Sequence, residues 1–371
     1  MNPWKGKRIL IVSPEAWGDA RLSKHHYARA LADAGSTVFF LGPGTGDPGR
    51  IIARRSEAIT VVDAPPLPRG LRFLPSCLAA RFEERYLEKI ISACDGGFDI
   101  LWNFDLYRFR WGRSTGSVGL RILHIMDLPI PGHLSAPASI ADVVLCVSPG
   151  MIRHVPNSIE HVLHVPHGIS LPSAEHMKNL PQLRPGSRAC YLGNFAIRYL
   201  DLVSLLSIAE RHPEVDLYLI GPVGGALGGN TTVAPDAWRS LMALPNVIHV
   251  GQIPSSEVQS WLAQMDLLLI AYNSELYPTE TAHPHKLLEY LYSGKTILSS
   301  HLLDSTNLGH LIEMMPPKVP ISRGFDKVIG ELHRTNDPEL QRARKAYARS
   351  MTYDRHINTI GAYLRSKGLM P

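Results

Sequence analysis

Residues 283–298, HPHKLLEYLYSGKTIL, hold the strongest structural signal in the sequence. Pro284 is typical of a helix start and Gly294 of the residue that ends a helix, and the leucines between them recur on one helical face. The apolar residues after Lys295 predict a buried strand. The stretch therefore predicts a helix that packs against a sheet and leads into one of its strands.

Outward from this stretch, short β-branched runs alternate with helical patterns along the chain. Most of the strand-like runs are apolar without internal alternation, which indicates parallel strands covered by helices on both faces of a sheet. We therefore predict an α/β fold of two tandem Rossmann-like, doubly wound parallel-sheet domains. The strands are expected at 8–13, 37–41, 59–62, 99–104, 121–125, 143–147, 162–165, 189–192, 217–220, 247–250, 267–271 and 297–299.

The domain organisation follows from where this rhythm lapses. Residues 171–187 combine Pro, Ser and scattered polar residues, as a linker does. We expect a first domain over residues 1–170, this linker, a second domain over 188–350, and a C-terminal helix over 351–371. The helix is expected to pack back on the first domain.

The composition is that of a globular protein, with 45% hydrophobic residues and a formal net charge of +5 over 371 residues. No apolar run approaches the roughly 18 residues of a membrane helix, and no secretory signal is recognisable. We therefore expect a cytoplasmic protein, and the small excess of positive charge does not indicate a nucleic-acid partner. The four cysteines and 17 histidines lack the spacing of metal ligands, so no metal site is expected.

Two charged residues of the predicted helix are three positions apart and share one face. Lys286 lies in the first turn, where free N–H groups and the helix dipole already favour phosphate. Glu289, one turn further, could accept hydrogen bonds from two vicinal ribose hydroxyls through its two oxygens. The alternative is an ordinary surface pair worth a few tenths of a kcal/mol, and spacing alone leaves both open.

The same segment resembles the nucleotide-sugar helix of glycosyltransferases with the GT-B fold, where a P-x-K-(apolar)-x-E-Y-(apolar)-(small)-x-G-K pattern precedes a buried strand. The resemblance runs in order over about residues 7–365 and is of the family 4 or group 1 type, with the glucuronosyltransferase and teichuronic-acid branches as candidates. The other similar pieces are residues 140–151, 165–169, 188–194, 217–222, 246–251, 257–262 and 265–272.

The resemblance implies a hexosyltransferase that moves a sugar from a UDP- or GDP-sugar to a lipid-linked or envelope-polysaccharide acceptor, with no metal and no cofactor. Residues 1–170 would form the acceptor side, and residues 188–350 would bind the nucleotide sugar. The sequence contains no D-x-D motif, which agrees with a metal-independent reaction. Positive charge from the protein must then stabilise the departing diphosphate.

The resemblance also assigns the donor site. Lys286 would bind the diphosphate and stabilise its developing charge, which makes it a catalytic residue. Arg198 would assist, although an ion pair with Asp201 is an alternative use of this side chain. The donor-binding residues implied by the family are Gly193, Asn194, Arg198, Gly221, Gly251, Tyr272, His285, Lys286, Leu287 and Glu289.

Three residues are assigned to the acceptor side or to the reaction. Asp127 resembles the position of a catalytic base, and a turn cap is its equally simple alternative. Trp17 offers a face for stacking on a sugar, and Asp19 a hydroxyl acceptor or, more simply, a helix N-cap. Many retaining members carry a second Glu where this chain has Thr281, with Glu280 displaced by one. The stereochemistry therefore stays open, with inversion slightly favoured.

The segment Arg50–Arg85 contains seven arginines interleaved with apolar residues. Such a surface would hold the protein on the anionic inner face of a plasma membrane and admit a lipid-linked acceptor. An ordinary helix with a solvated charged face is the alternative.

Other functional classes remain possible from the sequence. Residues 44–49 have the formal G-x-G-x-x-G pattern of a nicotinamide dehydrogenase, but they follow the second strand and lack the acidic partner. A nucleotide-sugar epimerase of the same architecture would use the same helix. A non-catalytic partner in polysaccharide assembly would keep the fold without the reaction.

Overall fold

A computed structural model describes residues 2–18, 22–44, 50–68, 70–112, 116–127, 133–171, 183–224 and 235–370. The chain divides into two compact units. Unit 1 consists of Met1–Gly168 together with Tyr353–Pro371, and unit 2 of Ile169–Thr352.

Unit 1 is built on an eight-stranded sheet. Its strands are β1 (Arg8–Val12), β2 (Thr37–Leu41), β3 (Ile52–Ser56), β4 (Ile59–Asp63), β5 (Phe98–Asn103), β6 (Val118–Ile125), β7 (Val143–Cys146) and β8 (Val162–His164), and its first helices are α1 (Ser23–Asp33), α2 (Ser76–Ala93), α3 (Ser135–Ser139) and α4 (Pro149–Ile152). The strand order is β3-β4-β2-β1-β5-β6-β7-β8. All neighbouring strands are parallel except β3 and β4.

Unit 2 has a six-stranded sheet in which every neighbouring pair is parallel. Its strands are β9 (Ser187–Leu192), β10 (Val215–Ile220), β11 (Val247–Gly251), β12 (Leu267–Ile270), β13 (Thr296–Ser299) and β14 (Glu313–Met314), and its helices are α5 (Leu202–Arg211), α6 (Pro235–Met242), α7 (Val258–Ala263), α8 (Lys286–Ser293), α9 (Phe325–Gly330), α10 (Leu332–Thr335) and α11 (Pro338–Ser350). The strand order is β11-β10-β9-β12-β13-β14.

Alternate residues of β1 point to opposite faces of the first sheet. Both sets are apolar, and helices cover both faces. Ile9 and Ile11 belong to a buried cluster that includes Tyr27 of α1. Leu10 and Val12 belong to another cluster, which contains residues of α2. The two-sided burial predicted from uninterrupted apolar strands is therefore confirmed.

The last helix, α12 (Tyr353–Ser366), belongs to unit 1. The indole N–H of Trp4 donates a hydrogen bond to the main-chain oxygen of Ile357 at 3.0 Å. The hydroxyl groups of Tyr353 and Ser23 lie 3.0 Å apart. The predicted return of a C-terminal helix to the first domain is confirmed.

The sequence patterns missed β3. This strand carries Arg54 and Arg55, which are exposed, and it pairs antiparallel with β4 at the edge of the sheet. The guanidinium of Arg54 lies 2.9 Å from a carboxylate oxygen of Asp63 on β4. Since an edge strand is paired on one side only, its charged residues gave no hydrophobic signal. An ordinary charged helix, one interpretation of this region, begins only at Ser76 as α2.

None of the described helices combines enough length with enough apolar character to cross a bilayer. Within the same residues, no three His, Cys, Asp or Glu side chains are grouped as the ligands of a metal ion would be.

We expect His124 to make folding sensitive to acid. Its imidazole is fully buried, stacks on Phe104, and has a pKa lowered to about 3 by burial and, secondarily, by His356. As pH falls below about 6.5, His124 binds a proton in the unfolded chain but not in the folded chain. The free energy of unfolding therefore falls by up to about 1.4 kcal/mol per pH unit.

Urea denaturation of the wild type and of His124→Phe between pH 7 and pH 4 measures this slope. In His124→Phe, the dependence of the free energy of unfolding on pH should be weaker by the contribution of one proton, whatever the absolute stability of the variant. His154→Phe, which replaces an exposed histidine of the same unit, is the control. Equal slopes in the wild type and His124→Phe would contradict the assignment.

Candidate functional site

Helix α8 places the predicted donor residues, and its sequence explains its bounds. The N–H of Leu287 donates to the oxygen of Pro284 at 3.1 Å, so the chain turns into the helix there. Gly294 ends the helix with a φ of 81°, a left-handed conformation that glycine adopts without strain. Leu287, Leu288 and Leu291 are buried in the core of unit 2. The helix is therefore anchored along one face, and Lys286 lies in its first turn.

The ammonium group of Lys286 is buried among aromatic rings. Its Nζ lies 3.6 Å from the centroid of the Tyr191 ring and 5.0 Å from that of Tyr272. Within the described residues, no hydrogen-bond acceptor and no carboxylate pairs with this atom. Burial lowers the pKa of Lys286 well below its ordinary value. The faces of tyrosine rings stabilise a cation only in part. An anion bound beside Lys286 would therefore interact strongly with its positive charge.

Glycine turns follow three adjacent strands at the same edge of the second sheet. A Cβ at Gly193, after β9, would lie 2.7 Å from the Nζ of Lys286. A Cβ at Gly221, after β10, would lie 2.0 Å from the oxygen of Gly193. The N–H of Gly221 donates to the oxygen of Gly251 at 2.8 Å. Contacts this close require glycine at positions 193 and 221, and the Gly193 turn lies beside the lysine at the carboxyl edge, where α/β sheets bind ligands.

Glu289 is held by a residue that sequence reasoning missed. The side-chain amide of Gln259, on α7, donates to Oε2 of Glu289 at 2.5 Å and to its main-chain oxygen at 3.1 Å. Burial raises the pKa of Glu289, and the hydrogen bond from Gln259 opposes this. Oε1 makes no hydrogen bond to any described residue and remains available as an acceptor. Only the tertiary structure brings residue 259 beside residue 289.

Arg198 is paired, but not with the predicted alternative partner. Its guanidinium lies 2.5 Å from Glu280 Oε1 and 5.1 Å from the ring centroid of Tyr277. Asp201 caps α5 instead, accepting a hydrogen bond from the N–H of Ser204 at 3.0 Å. The alternative pairing of Arg198 with Asp201 is therefore not the one formed, and Glu280, the acid displaced by one position in the sequence pattern, is the partner of Arg198.

The other predicted donor residues have local roles. Asn194 Oδ1 accepts a hydrogen bond from the N–H of Ala196 at 2.8 Å, which fixes the turn after Gly193. His285 is exposed and precedes the first residue of α8 with helical backbone angles. The side chain of Leu287 is buried, so only its backbone could face a ligand.

In unit 1, Asp127 lies just beyond the carboxyl end of β6 and is exposed. Partial desolvation by the surrounding protein raises the pKa of Asp127. The positive charge of Lys24 lowers this pKa, and the negative charge of Glu15 raises it. Trp17 packs against Phe40, with ring centroids 5.0 Å apart. Asp19 lies outside the described residues.

No family model matches the chain, and no curated protein sequence matches it either. Solved structures do. Sucrose-phosphate synthase from Thermosynechococcus elongatus superposes with a TM-score of 0.71 at 13% identity, covering 98% of this chain and 99% of that chain. A UDP-forming α,α-trehalose-phosphate synthase from Burkholderia vietnamiensis gives 0.71 at 13%, covering 97% of each chain. HepE from Anabaena, solved with UDP and glucose, gives 0.67 at 12%, covering 97% of this chain and 100% of that chain.

These similarities extend over nearly the entire chain and establish the fold. The two parallel-sheet units, with the last helix in unit 1, form the GT-B fold. The predicted fold class is confirmed.

Gly193→Ala should disturb the lysine without destroying the fold. The residue has a φ of 151°, and its new Cβ would meet the movable end of the Lys286 side chain. We expect a loss of about 1–3 kcal/mol in the free energy of unfolding from backbone strain, together with displacement of the ammonium group.

Gly186→Ala is the matched control, because this glycine of unit 2 lies outside the predicted donor site, also has a positive φ, of 134°, and has no atom closer than 4.0 Å to a new Cβ. Thermal denaturation and UDP binding by calorimetry should separate the two variants. Both should lose stability, and only Gly193→Ala should bind UDP at least tenfold more weakly. An equal loss of UDP affinity in both would rule out a specific effect on Lys286.

Proposed function

We propose that this protein is a glycosyltransferase that takes a hexosyl group from a UDP- or GDP-sugar without needing a metal ion or cofactor. The observation that carries the proposal is the buried Nζ of Lys286, which has no partner in the described part of the chain and lies against Tyr191. A diphosphate supplies the negative charge that this group lacks. The structural neighbours with UDP-forming activity or bound UDP and glucose support this choice of ligand.

In the proposed donor complex, the diphosphate lies at the first turn of α8, beside the Gly193 turn. Lys286 and the free N–H groups of the helix would stabilise the charge that develops when the bond from the anomeric carbon to the diphosphate breaks. Glu289 would accept hydrogen bonds from the ribose through Oε1, while Gln259 fixes its orientation. Arg198, on its ion pair with Glu280, would contribute a second, more exposed positive charge.

The acceptor hydroxyl must lose a proton as its oxygen bonds to the anomeric carbon. We propose Asp127 as the base that takes this proton, which would make the transfer inverting. Its position just beyond the carboxyl end of β6, at the edge where α/β sheets bind ligands, supports this role. Its exposure leaves the carboxylate accessible to an acceptor.

We further propose that the acceptor is lipid-linked or part of an envelope polysaccharide, and that the protein contacts an anionic membrane peripherally. Exposed apolar side chains support the membrane contact: Phe73 is 77% exposed and Phe82 is 47% exposed. Arg81 and Arg85 are exposed on the same helix as Phe82. Apolar and basic groups together favour the surface of anionic lipids. The glucuronosyltransferase and teichuronic-acid branches stay predictions from sequence resemblance.

Removing either predicted donor contact should abolish nucleotide binding without unfolding the protein. In the wild type, UDP or GDP, or the corresponding nucleotide sugar, should raise the melting temperature. We expect Lys286→Met and Glu289→Gln to lose this rise. Lys327→Met and Glu210→Gln replace exposed residues of unit 2 with the same changes and serve as controls.

The wild-type affinity should also fall as pH rises. The phosphate would raise the lowered pKa of Lys286, so binding takes up a proton, and calorimetry in buffers of different ionisation enthalpy measures that uptake. If UDP or GDP raised the melting temperature of both Lys286→Met and Glu289→Gln as much as that of the wild type, a donor site in unit 2 would be contradicted. Identification of the sugar product then separates a transferase from an epimerase.

Asp127→Asn should retain nucleotide binding and lose turnover by at least about a hundredfold, since general base catalysis contributes roughly 10²–10⁴ in rate. Radiolabelled sugar transfer, measured beside UDP or GDP binding, tests both halves. Asp33→Asn, which removes an exposed carboxylate of unit 1 at the end of α1, provides the control for charge removal. Full turnover by Asp127→Asn would exclude it as the base.

A further inference from the structure

Unit 1 contains a cavity of about 600 Å³ that none of the predicted site residues lines. Its walls come from the segments that follow β1, β2, β4, β5 and β6. All five strands run in the same direction, so the cavity lies at the carboxyl edge of the first sheet. This is the edge at which open α/β sheets bind ligands. Its charged and aromatic lining residues include Arg72, Asp105, Tyr107, Arg108, Arg110 and Trp111.

The cavity carries more positive than negative charge. Arg108 is engaged within the protein, since its guanidinium donates to Asp105 at 2.7 Å and to the oxygen of Gly42 at 2.7 Å. These two opposite charges largely cancel. Arg72 is exposed, and Arg110 is partly exposed. Neither makes an ion pair within the described residues, so both leave their charge available to a ligand.

Arg110 is the better placed of the two for recognition. Its Nε is buried and has no hydrogen-bond partner among the described residues. Its guanidinium carbon lies 4.5 Å from the centroid of the Trp111 ring, so the planar group rests on an aromatic surface. A guanidinium held in this way presents its remaining N–H groups in a fixed fork, which matches phosphate and carboxylate oxygens.

The segment that carries Arg110 is held in place by a buried carboxylate. Glu83, on α2, is 1% exposed, and its Oε2 accepts hydrogen bonds from the N–H groups of Trp111 at 2.9 Å and Gly112 at 3.4 Å. Because this anchor lies inside the protein, the arginine and the aromatic ring beside it are positioned before any ligand binds. Such preorganisation reduces the entropy that binding must overcome.

We propose that this cavity binds a saccharide that carries a phosphate or carboxylate group, with Arg110 as the residue that selects for the anion. The faces of Trp111 and Tyr107 would contact the apolar faces of the sugar ring, while Arg72 adds charge at the cavity wall. That the bound saccharide is the acceptor rests on the proposed function. Its binding does not, and it can be measured without a donor.

Calorimetric titration of the full chain tests the proposal. The soluble probes are glucose 6-phosphate, glucuronate and glucose, and a polyprenyl-diphosphate-linked glucose in detergent micelles represents a lipid source of the same anionic group. We expect at least one anionic probe to bind, and glucose to bind at least tenfold more weakly. Arg110→Gln should weaken binding of the anionic probe at least tenfold, and Arg110→Lys should weaken it by a smaller factor.

Arg153→Gln removes an exposed charge from unit 1 outside the cavity and should change nothing. An unchanged melting temperature and near-ultraviolet circular dichroism spectrum of Arg110→Gln show that unit 1, which carries this residue, remains folded. Binding of only the micellar probe with Arg110 dependence would support the site and identify its source as lipid. Equal binding of glucose, unaltered binding by Arg110→Gln, or no binding of any anionic probe would each overturn the proposal.

The two proposals fail separately. Arg110-dependent binding without sugar transfer from any nucleotide sugar would support the cavity and contradict the proposed function. Transfer to a neutral acceptor that is unchanged in Arg110→Gln would support the proposed function and overturn the cavity's role.

Discussion

The site in unit 2 depends on a buried amine that the protein itself does not neutralise. Lys286 has its Nζ 3.6 Å from the centre of the Tyr191 ring and packs against the backbone of Gly193. A protein that needed this residue for stability alone would place a carboxylate there, because an isolated buried charge is costly. The glycine turns, the short helix and the tyrosines are all arranged around that group. We propose that a phosphate completes this arrangement.

Both proposed sites lie at the carboxyl edges of the sheets, with different chemistry at each. In unit 2, we propose that main-chain turns and a single buried amine bind a diphosphate. In unit 1, we propose that a cavity with an arginine on an aromatic ring binds an anion attached to a sugar. Parallel strands bring loops that are distant in sequence to one edge, so either site needs only short segments from several of them. The difference between the two proposed sites thus comes from the loops, since the strands that lead to both sites are parallel.

Much of the fold could be predicted from local pattern, because buried parallel strands are continuously apolar. The strand at Thr37–Leu41 was predicted with its observed bounds. The edge strand β3 was missed because its arginines face solvent. Lys286 and Glu289 could be singled out because they share one helix with a recognisable start and end. Tyr191 and Gln259 could not, since each meets its partner only after the chain has folded. The cavity around Arg110 was missed for the same reason, as its walls come from five separate segments.

The placement of α12 in unit 1 has a consequence for the order in which the molecule is completed. Trp4, near the start of the chain, donates its indole hydrogen bond to Ile357, and the core of unit 1 includes Ile357, Ile360 and Leu364. During synthesis, unit 2 emerges from the ribosome in full before these residues do. The half of the protein that is translated first must therefore wait with part of its core uncovered, while the half translated second can fold ahead of it.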